Sequence, residues 1–410
     1  MALLKYNGKI VLFNGAFTSA QDFTVIELEV SGSTFVDRSN AFFQIQSSTP
    51  NNTIYIDFQD GTGEHAFAPN SGNNHVYIGT NSNTIYTYQD GNTGRRKVFI
   101  RFKNSQDVTY IQLANFMMYG NFPKSIANYN LTEGLSFSNN TTSKWDAFPV
   151  DFRSVNSMSV MFRNTFQNKV VNLSPWVYSS RIQTLILDGI FNLSALPAIN
   201  HTDKLINIVG LKNLTLANSD LNSNSLPSNL KDISTLEYLR IGNNSTLTTL
   251  PTVLVGCANI KTLILGSGDG FGYSHITSWG NGITGMIRLE TLTCMGGVAT
   301  NSPTSIPTGL NTCVALKNID LRGGYRTQAR IDEFVTNFYN YVVANPNLTN
   351  INLNIGYSGS TVLNTRPSGV YQTSSTPTTP MEMIYKLVND YRHTVTVTNI
   401  TNNGNEVLTP

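Results

Sequence analysis

The amino-acid sequence predicts a mainly β protein: an N-terminal β-sandwich, then a solenoid of about ten stacked coils, then an α/β cap at the C-terminus. Three observations carry this expectation. A short hydrophobic phrase, L-x-x-L-x-L, recurs about ten times between Val108 and Leu353. An apolar residue followed by proline returns about ten residues after many of these phrases. Both flanks differ from the repeats, with period-two alternation before Val108 and helical spacing after Arg322.

Residues 1–20 read as an N-terminal arm, and residues 21–107 as the sandwich. FTVIELEV from Phe23 alternates as a half-buried strand does. Ile54 to Phe58, Val76 to Ile78, Ile85 to Tyr88 and Val98 to Phe102 follow, separated by turns rich in Asn, Gly, Asp and Ser. Asp60-Gly61 and Asp90-Gly91 are the strongest turn signals. The first seventeen residues hold Lys5, Asn7, Gly8 and Lys9 among their apolar ones, so no signal-peptide core is read there and a non-secreted product is expected.

The repeats occupy residues 108–328. Their clearest copies are Ile182, Leu185, Leu187; Leu211, Leu214, Leu216; Leu236, Leu239, Ile241; Ile260, Leu263, Leu265; Leu289, Leu292, Cys294; and Leu316, Ile319, Leu321. Leu348, Ile351, Leu353 reads as one more. Val108, Ile111, Leu113 fits fully, Leu135 and Phe137 keep the last two positions, and Val155, Met158, Val160 fits with a methionine. Successive third positions lie 23 to 32 residues apart, the period of a leucine-rich repeat. A coil of about 25 residues cannot bury its own apolar side chains, so neighbours must stack above and below it. The apolar–proline pairs, such as Leu226-Pro227, Leu250-Pro251 and Ile306-Pro307, place extended or short helical segments on the side away from the strands. Cys257 and Cys313 fall at equivalent positions two coils apart, about 10 Å at about 4.8 Å per strand, too far for a disulfide. With Cys294 at a core position, all three cysteines read as small buried residues.

Residues 329–410 form the expected cap. Ile331, Phe334, Phe338, Tyr341 and Val342 have helical spacing, as do Met381, Ile384, Leu387 and Val388, and HTVTVTN closes with a strand.

Composition narrows the function. Charged residues make up 13% of the chain against roughly 25% in ordinary domains, and the net charge is +2. No field for nucleic acid follows, and no stretch is apolar enough for membrane insertion. About 50 asparagines, with Ser, Thr and Gly, supply the polarity. Such a surface suits packing against copies or partners, or touching neutral ligands. His65, His75, His201, His275 and His393 are scattered without ligand spacing, so neither a metal nor a cofactor is expected. Asp57, Asp60, Glu64 and His65 lie close together, but a turn explains Asp60, and the calcium-loop pattern is missing. Arg95-Arg96-Lys97 reads as charges guarding a strand edge. No catalytic motif emerges, and the chain reads as non-enzymatic. Any ligand surface should lie on the strand face, where the candidate contact residues are Tyr110, Asp188, Tyr238, Arg240, Asp320 and Arg322.

Two stretches resemble known families. IYIDFQDGTGEHAF followed by IYTYQDGNTGRRKVFIRF is similar to the polycystic-kidney-disease-like β-sandwich, with Phe58-Gln59 where that family has tryptophan before its Asp-Gly-Thr turn. IDEFVTNFYNYVV, LTNINLNIG, RPSGVY and MEMIYKLVNDYRHTVTVTN together resemble a C-terminal module of virion proteins from tailed phages of Bacteroidetes-type hosts. There, Tyr391-Arg392-His393 replaces a Gly-Trp pair before the final strand. The resemblance implies a peripheral virion protein, a decoration, head fibre or tail and baseplate component, on the outer surface of the particle. Its implied partners are other virion proteins, further copies of itself, and a host surface protein or glycan. The alternative is a BspA-like leucine-rich-repeat adhesin of a bacterial surface.

Overall fold

The computed structural model of the chain describes residues 3–6, 9–12, 23–30, 42–50, 52–69, 74–79, 86–88, 90, 94–104, 107–114, 118–121, 131, 133–138, 144–147, 159–163, 183–188, 210–218, 221, 226, 230–244, 246–266, 274–280, 282–296, 303–356, 365–399 and 404–410. The protein is mainly β, with two α-helices among these residues. It divides into two compact units, residues 1–167 with 175–182 and residues 168–174 with 183–410.

The first unit opens with a hairpin, β1 (Leu3–Tyr6) and β2 (Lys9–Leu12). It continues through β3 (Phe23–Val30), β4 (Phe42–Ser47), β5 (Ile54–Asp57), β6 (Glu64–Phe67), β7 (His75–Gly79), β8 (Gly94–Phe102), β9 (Val108–Ala114), β10 (Met118–Asn121), β11 (Gly134–Ser138), β12 (Lys144–Ala147) and β13 (Ser159–Arg163). One sheet has the order β12-β10-β3-β8-β5-β6, and the other strands run β7-β4-β9-β11-β13. Alternation fixes the inward residues: Ile54, Ile56, Val98, Ile100 and Phe102 are buried from the first sheet, and Ile45, Val76, Ile78, Ile111 and Leu113 from the second.

Two expectations are corrected in this unit. Strand β8 is central, between β3 and β5, so Arg95-Arg96-Lys97 does not guard an edge. Its register sets Lys97 opposite Glu27 and Arg95 opposite Glu29. The second correction concerns Val155, Met158, Val160. Val160 lies opposite Leu135 and Phe162 opposite Phe137, so Val160 takes the second position of its phrase and Phe162 the third. The template favoured the run with three aliphatic residues and passed over the aromatic one.

The second unit is built on eight parallel strands in a single register: β14 (Thr184–Asp188), β15 (Asn213–Ala217), β16 (Tyr238–Arg240), β17 (Thr262–Ile264), β18 (Thr291–Thr293), β19 (Asn318–Asp320), β20 (Asn352–Asn354) and β21 (Thr394–Asn399). Leu185, Leu214, Leu239, Leu263, Leu292, Ile319, Leu353 and Val395 lie side by side across them, all buried. Each such side chain stabilises by about 1.5–3 kcal/mol relative to exposure, so the column is a continuous core. Opposite the strands lie 3-10 turns at Leu230–Asp232, Thr252–Leu254 and Leu310–Thr312, the last two just after prolines 251 and 307. Neighbouring connections approach closely there. A Cβ on Gly282 (φ +71°) would stand 2.2 Å from the Thr308 carbonyl oxygen, so only glycine fits. Cys257, Cys294 and Cys313 are all buried, and Cys294 Sγ donates to Ser274 Oγ at 3.3 Å.

Strand β20 departs from the expected phrase. Leu353 pairs with Ile319, so it holds the second position, and Ile355, not Leu353, holds the third. Ile351 occupies the slot that carries Lys317 and Glu290 in the preceding coils, is buried there, and donates its N–H to Nδ1 of His393 at 3.1 Å.

Helix α1 (Gln328–Ala344) buries Ile331, Phe334, Val335, Phe338 and Val342. Tyr325 stacks on Phe334 with centroids 4.7 Å apart and donates its hydroxyl to the Pro303 carbonyl at 2.9 Å. Helix α2 (Pro380–Asn389) begins with a capping box between Thr379 and Glu382 and proline at its first turn, and buries Met381, Ile384, Leu387 and Val388. Strand β22 (Gly404–Leu408) then pairs antiparallel with β21. Its Glu406 lies opposite inward-facing Val397 and is paired with Arg366, and a neutralised inward charge blunts a terminal strand.

Candidate interaction surface

Because side chains alternate along a strand, the apolar column forces two rows outward on the second unit. The first row reads Thr184, Asn213, Tyr238, Thr262, Thr291, Asn318, Asn352 and Thr394. The second reads Ile186, Thr215, Arg240, Ile264, Thr293, Asp320, Asn354 and Thr396.

Amides in the first row bond along the ladder. Asn213 Nδ2 donates to Thr184 Oγ1 at 2.9 Å, Asn352 Nδ2 to Asn318 Oδ1 at 3.0 Å, and Asn318 Nδ2 to Thr291 Oγ1 at 3.4 Å. Asparagine suits these sites because one short side chain carries both a donor and an acceptor at the strand spacing. The second row is partly enclosed: Arg240 is 6% exposed, and Thr215 and Thr293 are also buried. It is therefore not an evenly solvated face.

The sequence candidates fall into separate places. Tyr110 lies on β9 in the first unit and donates its hydroxyl to Gln112 Oε1 at 2.9 Å. Tyr238 and Arg240 share β16. Asp320 and Arg322 form their own pair: the guanidinium Nη2 donates to Oδ2 at 2.7 Å and Nε to Oδ1 at 2.9 Å, and this bonding raises the arginine's pKa. Asp188 is 1% exposed and accepts from Asn218 Nδ2 at 2.6 Å.

From Asp188 a chain of side chains runs along the C-terminal ends of the strands. Asn243 donates to Asn218, and His275 Nε2 lies 3.1 Å from Asn243 Oδ1. Burial lowers the pKa of His275. Asn218 and Asn243 both have left-handed backbones (φ 51° and 48°), which asparagine tolerates better than most residues. Each asparagine stands two residues beyond the third position of its phrase, a spacing visible in the sequence. Beside it, buried Asn244 donates to the Leu216 and Gly242 carbonyls and accepts the Leu221 N–H.

A second ladder runs just before the strands. Lys212, Glu237, Lys261, Glu290 and Lys317 occupy one slot just before five successive strands, each joined to the next through backbone N–H to carbonyl bonds. Their charges alternate. Lys261 and Glu237 pair at 3.0 Å and Lys317 and Glu290 at 2.8 Å. The lysine hydrogen bonds lower both glutamates' pKa values. A slip by one coil would set like charges together, so the ladder favours one order of stacking.

In the first unit, Asp60 is tied into turn chemistry. Its Oδ1 accepts from Thr62 N at 3.2 Å and Thr62 Oγ1 at 2.6 Å, and its Oδ2 from the Tyr86 hydroxyl at 2.6 Å. Asp57 accepts the Gln59 N–H at 2.8 Å. The rows and ladders thus hold fixed donors and acceptors, and both ladder glutamates are paired with lysines. No helix among the described residues is long and apolar enough to cross a membrane. No protein-family model matches the chain, and no curated protein is similar to it.

Proposed function

We propose that the chain is a non-enzymatic structural and interaction protein at the periphery of a tailed-phage particle, and that residues 183–399 are coils of a leucine-rich-repeat solenoid. The observation that carries this reading is the single-register column from Leu185 to Val395, one strand per coil, with an outward face bonded largely to itself. Such a stack projects and packs, and Glu237 and Glu290 of its charged ladder are paired with Lys261 and Lys317. The C-terminal turn adds support. At the turn where the virion module has a Gly-Trp pair, Arg392 takes the left-handed conformation (φ 57°) that glycine favours.

The test is immunogold labelling of phage particles and host cells with antibody against residues 183–356. Label on the head or tail is the expected result, and its place separates decoration from adhesin. Label confined to the cell surface would overturn the reading in favour of the BspA-like bacterial adhesin.

A further inference from the structure

Two large apolar side chains stand open to solvent at matching positions before neighbouring strands. Ile287 is 50% exposed and Val314 84% exposed. Each lies three residues before its ladder charge, Glu290 or Lys317, and these two are joined by a backbone bond, so Ile287 and Val314 are one strand step apart. The row continues on both sides. Half-buried Ala258 lies three residues before Lys261, and exposed Pro346 follows Asn345, whose carbonyl accepts the Leu348 N–H as the Cys313 carbonyl accepts that of Leu316. The chain takes five steps from Leu348 to Leu353, against three from Leu316 to Ile319. A cleft of about 390 Å³ opens there, with Val314, Leu316, Pro346 and Leu348 in its lining. The buried column does not use Ile287 or Val314, and an apolar row rimmed by charge marks a contact surface.

The charges beside the row decide what covers it. From Glu237 through Lys261 and Glu290 to Lys317 the ladder alternates in sign. The Lys317 and Glu290 side chains are 63% and 40% exposed although paired, so a second such pair can join them from solvent. A copy laid alongside in the same direction would set Glu290 against Glu290 and Lys317 against Lys317. A copy turned about a two-fold axis between Ile287 and Val314 sets Glu290 against Lys317 twice, Ile287 against Val314 twice, and Ala258 against Pro346. Lys261 then meets the slot of Ile351, which carries no charge. Apolar and charged patterns are thus both self-complementary about one point.

We infer that this face binds a second copy of the chain in an antiparallel two-fold dimer, with Ile287 packed on Val314 of the second copy and two Glu290–Lys317 pairs joined in a four-charge cluster. An unrelated partner would not need both patterns to share a centre. The inference deepens the reading of the chain as a packing element and rests on it, naming the partner. It fails separately, because labelling locates the protein whereas self-association is measured on the purified chain.

Sedimentation equilibrium of the full-length protein should give a dimer, and Val314→Asp, which puts an unpaired charge into the contact, should raise its dissociation constant at least about tenfold. Val314 is exposed, so the melting curve of that variant should match the wild type. The double variant Glu290→Lys with Lys317→Glu keeps the pair within each copy. It should dimerise with itself and exclude fluorescently labelled wild type, because every mixed contact sets like charges together. A wild type that stays monomeric up to about 100 μM, a dimer that Val314→Asp leaves unchanged, or a double variant that pairs with wild type in preference to itself, as a parallel face requires, would overturn the proposal.

Discussion

His393 converts acid into a loss of stability, and the size of the loss follows from its surroundings. The imidazole is buried, faces Phe338 and Tyr391 at centroid distances of 6.0 and 6.5 Å, and accepts the Ile351 N–H on Nδ1. A proton on Nδ1 would break that bond inside an apolar layer. Burial pushes the pKa from 6.5 down to about 4. Between those values the unfolded chain binds a proton that the folded chain refuses. The contribution is therefore complete above about pH 6.5 and is lost as the pH falls toward 4. At about 1.4 kcal/mol per pH unit across that gap, the loss is about 3 kcal/mol. The assay is urea denaturation of wild type and His393→Gln between pH 7.5 and 4, since glutamine offers an acceptor without titrating. Wild type should lose about 3 kcal/mol more than the variant over this range. Parallel curves, or an NMR titration placing the folded imidazole near 6.5, would refute the reasoning.

Three further expectations follow from packing and backbone conformation. Leu263, fully buried between Leu239 and Leu292, should cost about 3–5 kcal/mol as Leu263→Ala, from three lost carbons plus the residual cavity, whereas outward Thr262→Ala should change stability by under about 0.5 kcal/mol; denaturant melts compare them. Burial pushes the Cys257 and Cys313 thiols up to about 12 and about 11, so a thiol reagent at pH 8 should leave both unmodified in the folded protein and react with them in urea. Arg392→Gly should stabilise by about 0.5–1 kcal/mol, because relief of a left-handed arginine exceeds the entropy glycine adds to the unfolded chain; a lower melting temperature would count against it.

The strands from β14 to β19 were legible in the sequence because a column that must stay dry imposes the same spacing on every coil. The helices were legible for the same reason, at their own period. Register failed where two apolar phrases overlapped. Ile351 satisfies L-x-x-L-x-L as written, but it fills a slot that is charged in its neighbours, and the left-handed Asn350 (φ 59°) stands just before it. Strand β22 gave no signal, since GNEVL is short and places Glu406 inward, a position explained only by Arg366 across the fold. The candidate surface was half readable. The two rows follow from alternation, yet the enclosure of Asp188 and Arg240 depends on contacts between coils. The alternating Lys212 to Lys317 ladder is plain in the sequence only once the coils are aligned.

The most direct test of the single-register stack is a distance. Nitroxide labels on Lys212→Cys and Lys317→Cys are separated by four ladder steps, 212 to 237 to 261 to 290 to 317, although 104 residues of chain lie between them. At about 4.8 Å per step the backbones stand about 19 Å apart, so double electron–electron resonance should give one narrow distribution near that value, widened by the label arms. A broad distribution, or a mean beyond about 35 Å, the reach of more than seven such steps, would contradict one strand per coil in a continuous stack.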